Sequence, residues 1–186
     1  LEIIVLMLDK PIPGYENDQF FFSLLATFGC AGTGGFGFIP GSMELFHPFS
    51  QYVMAIFLIL FGCNFGLYYL LLIGKIRTVL RSEEFKSYFL IVAAAILFIF
   101  GSLVARVESF PQSYTTEEAF RHSFFQVASI ITTAGFTTTD YHVWPTVATS
   151  TLIVLMFMGA MAGSTAGGIK ISRIVIALKG LGNNIR

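Results

Sequence analysis

The sequence contains Thr33-Gly34-Gly35-Phe36-Gly37 and, 100 residues later, Thr133-Ala134-Gly135-Phe136-Thr137. Both stretches follow a short apolar segment and precede a long one, and the same shift also aligns Phe20 with Phe120. Self-similarity at a fixed spacing indicates a repeated architectural unit. The chain is therefore predicted to contain two related units, each with a Thr-x-Gly-Phe turn between a short and a long segment.

The composition of the chain is strongly apolar. Hydrophobic residues make up 55% of the 186 residues and charged residues 12%, whereas an ordinary soluble domain has about 25% charged residues. Basic and acidic residues balance at 11 each, so the formal net charge is zero. We expect an all-α, multi-pass membrane protein that contacts membrane lipid and has no nucleic-acid partner.

Three uncharged runs are long enough to cross a bilayer as helices: residues 51–73, 88–105 and 143–165, with 23, 18 and 23 residues. At about 1.5 Å per residue, helices of this length match the roughly 30 Å hydrocarbon core. Residues 1–8 are apolar but too short to cross, and no initiator methionine precedes them. We expect this segment to be the end of a helix that begins earlier in a larger protein.

Two shorter apolar segments precede the turns. Residues 19–31 and 120–132 hold 13 residues each, about 20 Å as a helix, which suits a re-entrant segment or a buried core helix. Glycine and threonine residues follow both segments, rather than the basic residues of a cytoplasmic loop. The sequence therefore favours re-entrant segments, in helix, pore loop, helix repeats of the potassium-channel type.

Charged residues are distributed unevenly among the predicted loops. Eight of the eleven basic residues lie either between the first two long runs or after the third: Lys75, Arg77, Arg81, Lys86, Lys170, Arg173, Lys179 and Arg186. The other loops hold the acidic residues Asp9, Glu16, Asp18, Glu44, Glu108, Glu117, Glu118 and Asp140, with fewer cations. By the positive-inside rule, residues 74–87 and 169–186 are predicted to be cytoplasmic, so both re-entrant segments enter from outside.

Glycines are concentrated at the two turns, at Gly32, Gly34, Gly35, Gly37 and Gly135. Glycine adopts backbone conformations closed to other residues, which allows successive carbonyl groups to point along one line. Rings of such carbonyls replace the hydration shell of a monovalent cation. The short helices would also direct their partially negative C-terminal ends toward that cation. The turns are therefore predicted to be part of an ion selectivity filter.

Two other interpretations of these glycines are open. The spacing Gly32-x-Gly34-x-x-Gly37 matches the dinucleotide-binding fingerprint, but that motif needs a preceding strand and a following helix, and residues 38–42 have a loop sequence. The glycines could instead serve only tight helix packing. Two unrelated packing sites would have no reason to share the flanking threonine and phenylalanine, so the filter interpretation is favoured.

The last apolar run contains a stretch of small residues, 159–168, with four glycines. Each glycine costs about 1 kcal/mol in a helix interior relative to alanine. The sequence therefore predicts that the final helix is broken by a mobile loop below the filter, which must move for ions to pass. A glycine-rich packing face is the alternative. A phosphate-binding loop is excluded because Gly168-Ile169-Lys170 lacks the required Gly-Lys-Ser/Thr ending.

Four motifs follow one another in the order of a known family: Thr-Gly-Gly-Phe-Gly, Gly-Cys-Asn-Phe-Gly at residues 62–66, Thr-Thr-Ala-Gly-Phe-Thr, and Ala-Gly-Ser-Thr-Ala-Gly-Gly-Ile-Lys at residues 162–170. They resemble the Trk/Ktr/HKT superfamily of potassium uptake proteins, in particular its Trk-type membrane subunit. The resemblance implies four pore-loop repeats with pseudo-fourfold symmetry, of which this chain holds about the second and third. Residues 1–74 are then one repeat, 75–87 a cytoplasmic linker, and 88–186 the next repeat.

The resemblance also implies roles for individual residues. Backbone carbonyls of the filter would bind the transported potassium ion at Thr33, Gly34, Gly35, Thr133, Ala134 and Gly135. An intramembrane gate would consist of Gly163, Ser164, Thr165, Ala166, Gly167, Gly168 and Lys170. It further implies a homodimer in a prokaryotic cell membrane, regulation by a cytoplasmic nucleotide-binding subunit, and no cofactor besides the potassium substrate.

Two other functional classes compete with a potassium-conducting filter. One is a sodium- or proton-coupled secondary transporter, which would use broken helices and inverted repeats. The other is a non-conducting membrane subunit. Both predicted units enter from the same side, which favours the channel-like repeat. We expect no enzyme, because no grouping of nucleophile, base and orienting acid is apparent.

Several isolated polar residues have simpler interpretations. Asn64 lies in an apolar run and is predicted to hydrogen-bond a neighbouring helix. Cys30 and Cys63 lack metal-ligand spacing and are expected to be buried free thiols. His122 is expected to be a solvated residue near the outer face.

Overall fold

The structure is a computed structural model that describes residues 1–37, 39–105 and 114–184. In this part of the chain nine α-helices follow one another: α1 (Glu2–Met7), α2 (Gln19–Ala31), α3 (Pro48–Phe61), α4 (Phe65–Leu72), α5 (Ile76–Arg81), α6 (Glu83–Val104), α7 (Thr116–Ile131), α8 (Thr146–Phe157) and α9 (Ile171–Asn184). Within the same ranges no strand is formed, so the all-α expectation is confirmed there.

The longest helix, α6, contains most of the predicted run 88–105. It has 22 residues, about 33 Å at 1.5 Å per residue. Ser82 caps it, because its hydroxyl accepts a hydrogen bond from the amide of Phe85 at 3.4 Å. Among the described helices, α6 is the one that is by itself long and apolar enough to cross a membrane.

A single helix over residues 51–73 is predicted, and this prediction is wrong. The run is divided between α3 and α4, which meet at an angle of 91°. Asn64 starts the second helix: its backbone is extended, and its side-chain oxygen accepts a hydrogen bond from the amide of Gly66 at 2.7 Å. Asn64 is therefore a helix cap, which also corrects the prediction that it bonds to a neighbouring helix.

A second interruption divides the run 143–165. Helix α8 ends at Phe157 after 12 residues, and α9 begins at Ile171. A single span over residues 143–165 is therefore wrong, whereas the non-helical segment contains the predicted stretch 159–168. We call residues 158–170 the glycine-rich loop.

The two short helices that precede the turns differ in length. Helix α2 has the predicted bounds, whereas α7 begins at Thr116 rather than at residue 120. The earlier start comes from a capping box, in which Glu118 accepts a hydrogen bond from the amide of Thr115 at 2.9 Å, and the Thr115 hydroxyl accepts one from the amide of Glu118 at 3.3 Å. The bond from the Thr115 amide holds the pKa of the Glu118 carboxyl below its usual value.

Helix α7 lies at the centre of the described fold. It packs against α3, α6 and α8, while α2 packs against α1 and α3. Its residues 125–131 are all buried. In the turn after α7, Ala134 and Phe136 are buried while Gly135 is exposed, whereas the turn after α2 is largely exposed.

The predicted linker, residues 75–87, contains α5 and the first turn of α6. Its basic side chains are all exposed, at Lys75, Arg77, Arg81 and Lys86. Glu108 and Arg186, which enter the charge argument, lie outside the described residues.

Candidate functional site

The two Thr-x-Gly-Phe turns touch each other. A Cβ built on Gly35 would lie 1.7 Å from the carbonyl oxygen of Ala134, and Gly35 has a φ of +60°. Any other residue at position 35 would collide with this backbone and would also be strained. Gly135 has a φ of +85°, but the space for a Cβ there is open. The carbonyl of Ala134 is therefore directed at the backbone of the other turn.

Both turns are built by the same backbone hydrogen bonds. The amide of Gly34 donates to the carbonyl of Gly29 at 2.9 Å, and the amide of Ala134 donates to the carbonyl of Ser129 at 2.9 Å. The preceding threonine amides donate to the carbonyls of Cys30 and Ile130 in the same way, at 3.1 and 2.9 Å. Each bond in the first turn thus has a counterpart 100 residues later.

The threonines of both turns have a strained backbone. Thr33 and Thr133 have φ values of 47° and 57°, in the left-handed region that costs a β-branched residue roughly 1–2 kcal/mol. Both hydroxyls reach the glycine-rich loop: Thr33 donates to the carbonyl of Thr165 at 3.1 Å, and Thr133 accepts from the amide of Gly167 at 2.7 Å. The sequence indicated only backbone carbonyls at these positions and missed the hydroxyls.

The glycine-rich loop leaves α8 and returns to nearly the same place. The amide of Gly159 donates to the carbonyl of Ile169 at 2.8 Å, and the amide of Ile169 donates to the carbonyl of Phe157 at 3.2 Å. A Cβ on Gly159 would lie 1.9 Å from the carbonyl oxygen of Gly167. The base of the loop is therefore closed, and glycine is required where its two sides meet.

The break between α3 and α4 binds one side of this loop. The amide of Met161 donates to the carbonyl of Gly62, and the amide of Phe65 donates to the carbonyl of Gly163, both at 3.1 Å. Helix ends leave such amides and carbonyls without intrahelical partners. The two helix interruptions therefore satisfy each other's backbone groups.

Two charged side chains form hydrogen bonds with the backbone of the loop. Glu84 lies at the start of α6, and Lys170 is part of the loop. The carboxylate of Glu84 accepts a hydrogen bond from the amide of Ala162 at 2.6 Å. The ammonium group of Lys170 donates to the carbonyl of Ala166, four residues earlier. The loop thus has a defined, hydrogen-bonded conformation in this structure. No sequence motif indicated Glu84, because acidic residues are common in the first turn of any helix.

On the opposite side of the turns, the segments that follow them are joined. The amide of Met43 donates to the carbonyl of Thr137 at 2.8 Å, and the amide of Thr137 donates to the hydroxyl of Ser42 at 3.2 Å. The side-chain amide of Gln51 in turn donates to the carbonyls of Met43 and Phe46, at 2.9 and 3.0 Å. Helix α3 therefore positions residues 42–46, and this segment in turn bonds to the residue at the end of the second turn.

Polar side chains of α7 support the turn that follows this helix. His122, through Nδ1, is 2.9 Å from the hydroxyl of Thr138, and the side-chain amide of Gln126 donates to the carbonyl of Thr139 at 3.4 Å. His122 and Gln126 are buried, so the expectation of a solvated His122 is wrong. The sequence carried a signal for them, since both lie in the predicted re-entrant segment 120–132, and polar residues inside membrane segments are commonly functional.

A buried arginine joins α7 to α3. Arg121 is 8% exposed and donates to the side-chain carbonyl of Gln51 and, at 3.1 Å, to the carboxylate of Glu117. The hydroxyl of Tyr52 donates to the same carboxylate at 3.1 Å. These bonds fix the orientation of α7 relative to the segment after the first turn.

The phenylalanines of the two turns have different surroundings. Phe136 is fully buried, and its ring lies 2.6 Å from the position of a Cβ on Gly29 in α2. Phe36, the corresponding residue, is 80% exposed. Among the described residues, no helix glycine lies against the ring of Phe36 as Gly29 lies against the ring of Phe136.

The described residues contain no group of three or more His, Cys, Asp or Glu side chains that could hold a metal ion. Cys30 and Cys63 are buried free thiols, as expected. The polar groups that converge at the turns are instead uncharged carbonyls and hydroxyls. Rings of carbonyl groups can replace the hydration shell of a monovalent cation.

Comparisons with known proteins agree with this architecture. The Trk system potassium uptake protein TrkH of Salmonella typhimurium is 36% identical over 170 residues, which are 90% of this chain and 33% of that protein. TrkG of Escherichia coli is 32% identical over 148 residues, 78% of this chain and 30% of that protein. The chain therefore spans about a third of the length of the curated relatives it matches.

A solved structure and a family description match as well. The crystal structure of the potassium transporter TrkH from Vibrio parahaemolyticus superposes with a TM-score of 0.80 and 29% identity, covering all of this chain and 39% of that one. Residues 15–186 match the family described as TrkH, cation transport protein. The chain therefore belongs to the TrkH family of cation transport proteins.

Proposed function

We propose that this chain is part of a potassium transport protein of the cell membrane, in which the two turns form part of a selectivity filter. The contact between Gly35 and Ala134 carries the proposal, because it brings two similar turns, 100 residues apart, to a common point. The relatives TrkH and TrkG are potassium uptake proteins, which also supports the proposal. Potassium would shed its water and bind the backbone carbonyls of residues 33–35 and 133–135.

The helices before the turns support a cation at this point. Helix α2 ends at Ala31 and α7 at Ile131, immediately before the turns. The C-terminal end of a helix carries a partial negative charge of about half an elementary charge. Both ends would therefore stabilise a dehydrated cation, without any carboxylate that would hold it too tightly to leave.

Two turns supply only part of a ring of carbonyl groups. The exposed ring of Phe36 is an argument that the protein contains further units. The buried contact of Phe136 with Gly29 joins one unit to the next. If the same arrangement is repeated, Phe36 packs against the short helix of a preceding unit, in the part of the protein outside these residues. The relatives are about three times as long as this chain, which leaves room for such units.

The glycine-rich loop is proposed as the gate. It contacts Thr33 and Thr133 directly, so it lies against one end of the two turns. Exposed basic residues accompany the helices on that side, at Lys75, Arg77, Arg81 and Lys86. By the positive-inside rule this end is cytoplasmic, so the gate would close the filter from inside.

Cation selectivity of the full-length protein tests the filter. Cells without other potassium uptake systems would express the protein with Gly35→Ser, Gly135→Ser or, as a control in open space on α6, Gly101→Ser. We expect both filter variants to lower the ratio of potassium to sodium uptake, while the control keeps it. An unchanged ratio in both filter variants would refute the filter assignment.

A further inference from the structure

The hydroxyl groups of Thr33 and Thr133 form a connection between the turns and the glycine-rich loop that backbone filter chemistry does not require. We propose that these hydroxyls are a two-point latch that holds the loop closed, and that potassium at the adjacent end of the filter competes with the loop for the Thr133 oxygen. The inference rests on the proposed function, because it needs potassium to reach the turns.

The latch consists of two hydrogen bonds in which the threonines have opposite roles, one as donor and one as acceptor. Thr33 donates its proton to the carbonyl of Thr165, and Thr133 accepts a proton from the amide of Gly167. The two loop residues are separated by one position, and the two threonines occupy the same place in their turns. One short segment of the loop therefore bridges both units.

The backbone of the threonines indicates that their hydroxyls are needed. Both residues have a positive φ, which glycine would adopt without strain and a β-branched residue adopts only when the surroundings enforce it. A glycine at either position would relieve the strain but would remove the bond to the loop. Thr33 is also buried, at 7% exposed, so its hydroxyl is surrounded mainly by protein groups.

At Thr133 the competition is direct. The amide hydrogen of Gly167 lies against the hydroxyl oxygen at an N to O distance of 2.7 Å. A potassium ion bound to that oxygen would meet the positive end of the same N–H group at close range. The cation and the closed loop therefore exclude one another at this atom.

Thr33 has a different role in the latch. Its hydroxyl oxygen lies 2.8 Å from the carbonyl oxygen of Gly32, so its one proton is shared between the carbonyls of Gly32 and Thr165, and the bond to Gly32 remains if the loop departs. Thr33 would therefore hold the loop in position without being needed to release it. Because the coupling is a difference in binding free energy, it acts in both directions: potassium weakens closure, and closure weakens potassium binding.

Amide hydrogen exchange of the purified full-length protein tests this coupling. The readout is the exchange rate of the peptide over residues 158–170, measured in potassium and in choline at equal ionic strength, with α6 as an internal reference for folding. We expect potassium to raise the loop rate in the wild type. Thr133→Ala should raise the rate by about 2- to 10-fold in choline, the ratio that one net hydrogen bond gives, and should remove the potassium effect.

Thr133→Ser is the matched control, because it keeps the hydroxyl and should keep both the slow exchange and the potassium effect. If Thr133→Ala does not fold, the loop exchange rate of the wild type in the two salts still tests whether potassium weakens closure of the loop. A loop rate that is the same in potassium and choline would overturn the competition. The uptake experiment on Gly35→Ser and Gly135→Ser separates this failure from that of the proposed function, which fails if the ratio of potassium to sodium uptake is unchanged in both variants.

Discussion

The ring of Phe136 lies against Gly29, with one ring carbon 2.6 Å from the point where a Cβ on Gly29 would stand. Phe136 belongs to the turn after α7, whereas Gly29 belongs to α2. The contact therefore joins the turn of one unit to the short helix of the other. It also sets how closely the two turns approach, since each turn begins at the end of its own short helix.

Gly29→Ala is expected to destabilise the protein, because the new methyl group would overlap the buried ring. Overpacking of this kind typically costs about 1–3 kcal/mol. The melting temperature of the purified full-length protein measures the effect, and we expect a decrease of several degrees. Potassium uptake should also fall, because the displaced ring belongs to the second turn.

Gly101→Ala is the matched control for this change. Gly101 also lies in a helix, but nothing stands within 4 Å of the position of its Cβ. Alanine is favoured over glycine in a helix interior by about 1 kcal/mol. We expect the melting temperature to stay or to rise, and equal losses in both variants would show that the Phe136 contact is not the cause.

The sequence predicted the turns better than the helices around them. The 100-residue shift identified both turns, because their backbone bonds are local and their residues are close in sequence. It missed the division of residues 51–73 at Asn64, because hydropathy does not distinguish a straight apolar helix from a bent one. The break is also stabilised by backbone hydrogen bonds to the glycine-rich loop, about 100 residues away, which no local pattern predicts.

Alanine at the two turn glycines should have unequal effects. Both Gly35 and Gly135 have a positive φ, so each substitution carries a backbone cost of about 1–2 kcal/mol. At position 35 the new Cβ would also collide with the carbonyl of Ala134, at 1.7 Å, which no side-chain movement can relieve. Gly35→Ala is therefore expected to lower the melting temperature and potassium uptake more than Gly135→Ala.

The comparison separates steric from conformational effects, because the two glycines occupy equivalent places in the repeat. An equal loss in both variants would mean that only the positive φ matters. A larger loss for Gly135→Ala would contradict the contact between the two turns, since space at position 135 is open in this structure.

Asn64→Ala should weaken the start of α4. The side-chain oxygen caps the amide of Gly66 at 2.7 Å, and loss of such a cap costs about 0.5–2 kcal/mol. Asn64→Ser keeps a capping oxygen and is expected to retain most of the stability. Thermal melting of the two variants distinguishes this role from a bond between helices, for which serine, with its shorter side chain, would be as harmful as alanine.

The polar residues of α7 illustrate what sequence reasoning left out. Arg121 and Gln51 are 70 positions apart, and their contact depends on how α7 packs against α3. No local pattern specifies that packing. Their types were nevertheless informative, because a charged or amide side chain inside an apolar segment needs a partner, and the pairing of Arg121 with Gln51 satisfies that need.

Glu84 and Glu83 are neighbours with different expected roles, and alanine substitutions should separate them. Glu84→Ala removes the acceptor of the Ala162 amide in the glycine-rich loop. Hydrogen bonds to charged groups contribute about 1.5–3 kcal/mol when they are well shielded, so exchange of the loop amides should rise by about tenfold. Glu83 pairs with Lys179 at the surface, and exposed ion pairs contribute little. Glu83→Ala should therefore leave the loop amides nearly as protected as in the wild type, and equal exchange in the two variants would show that Glu84 does not hold the loop.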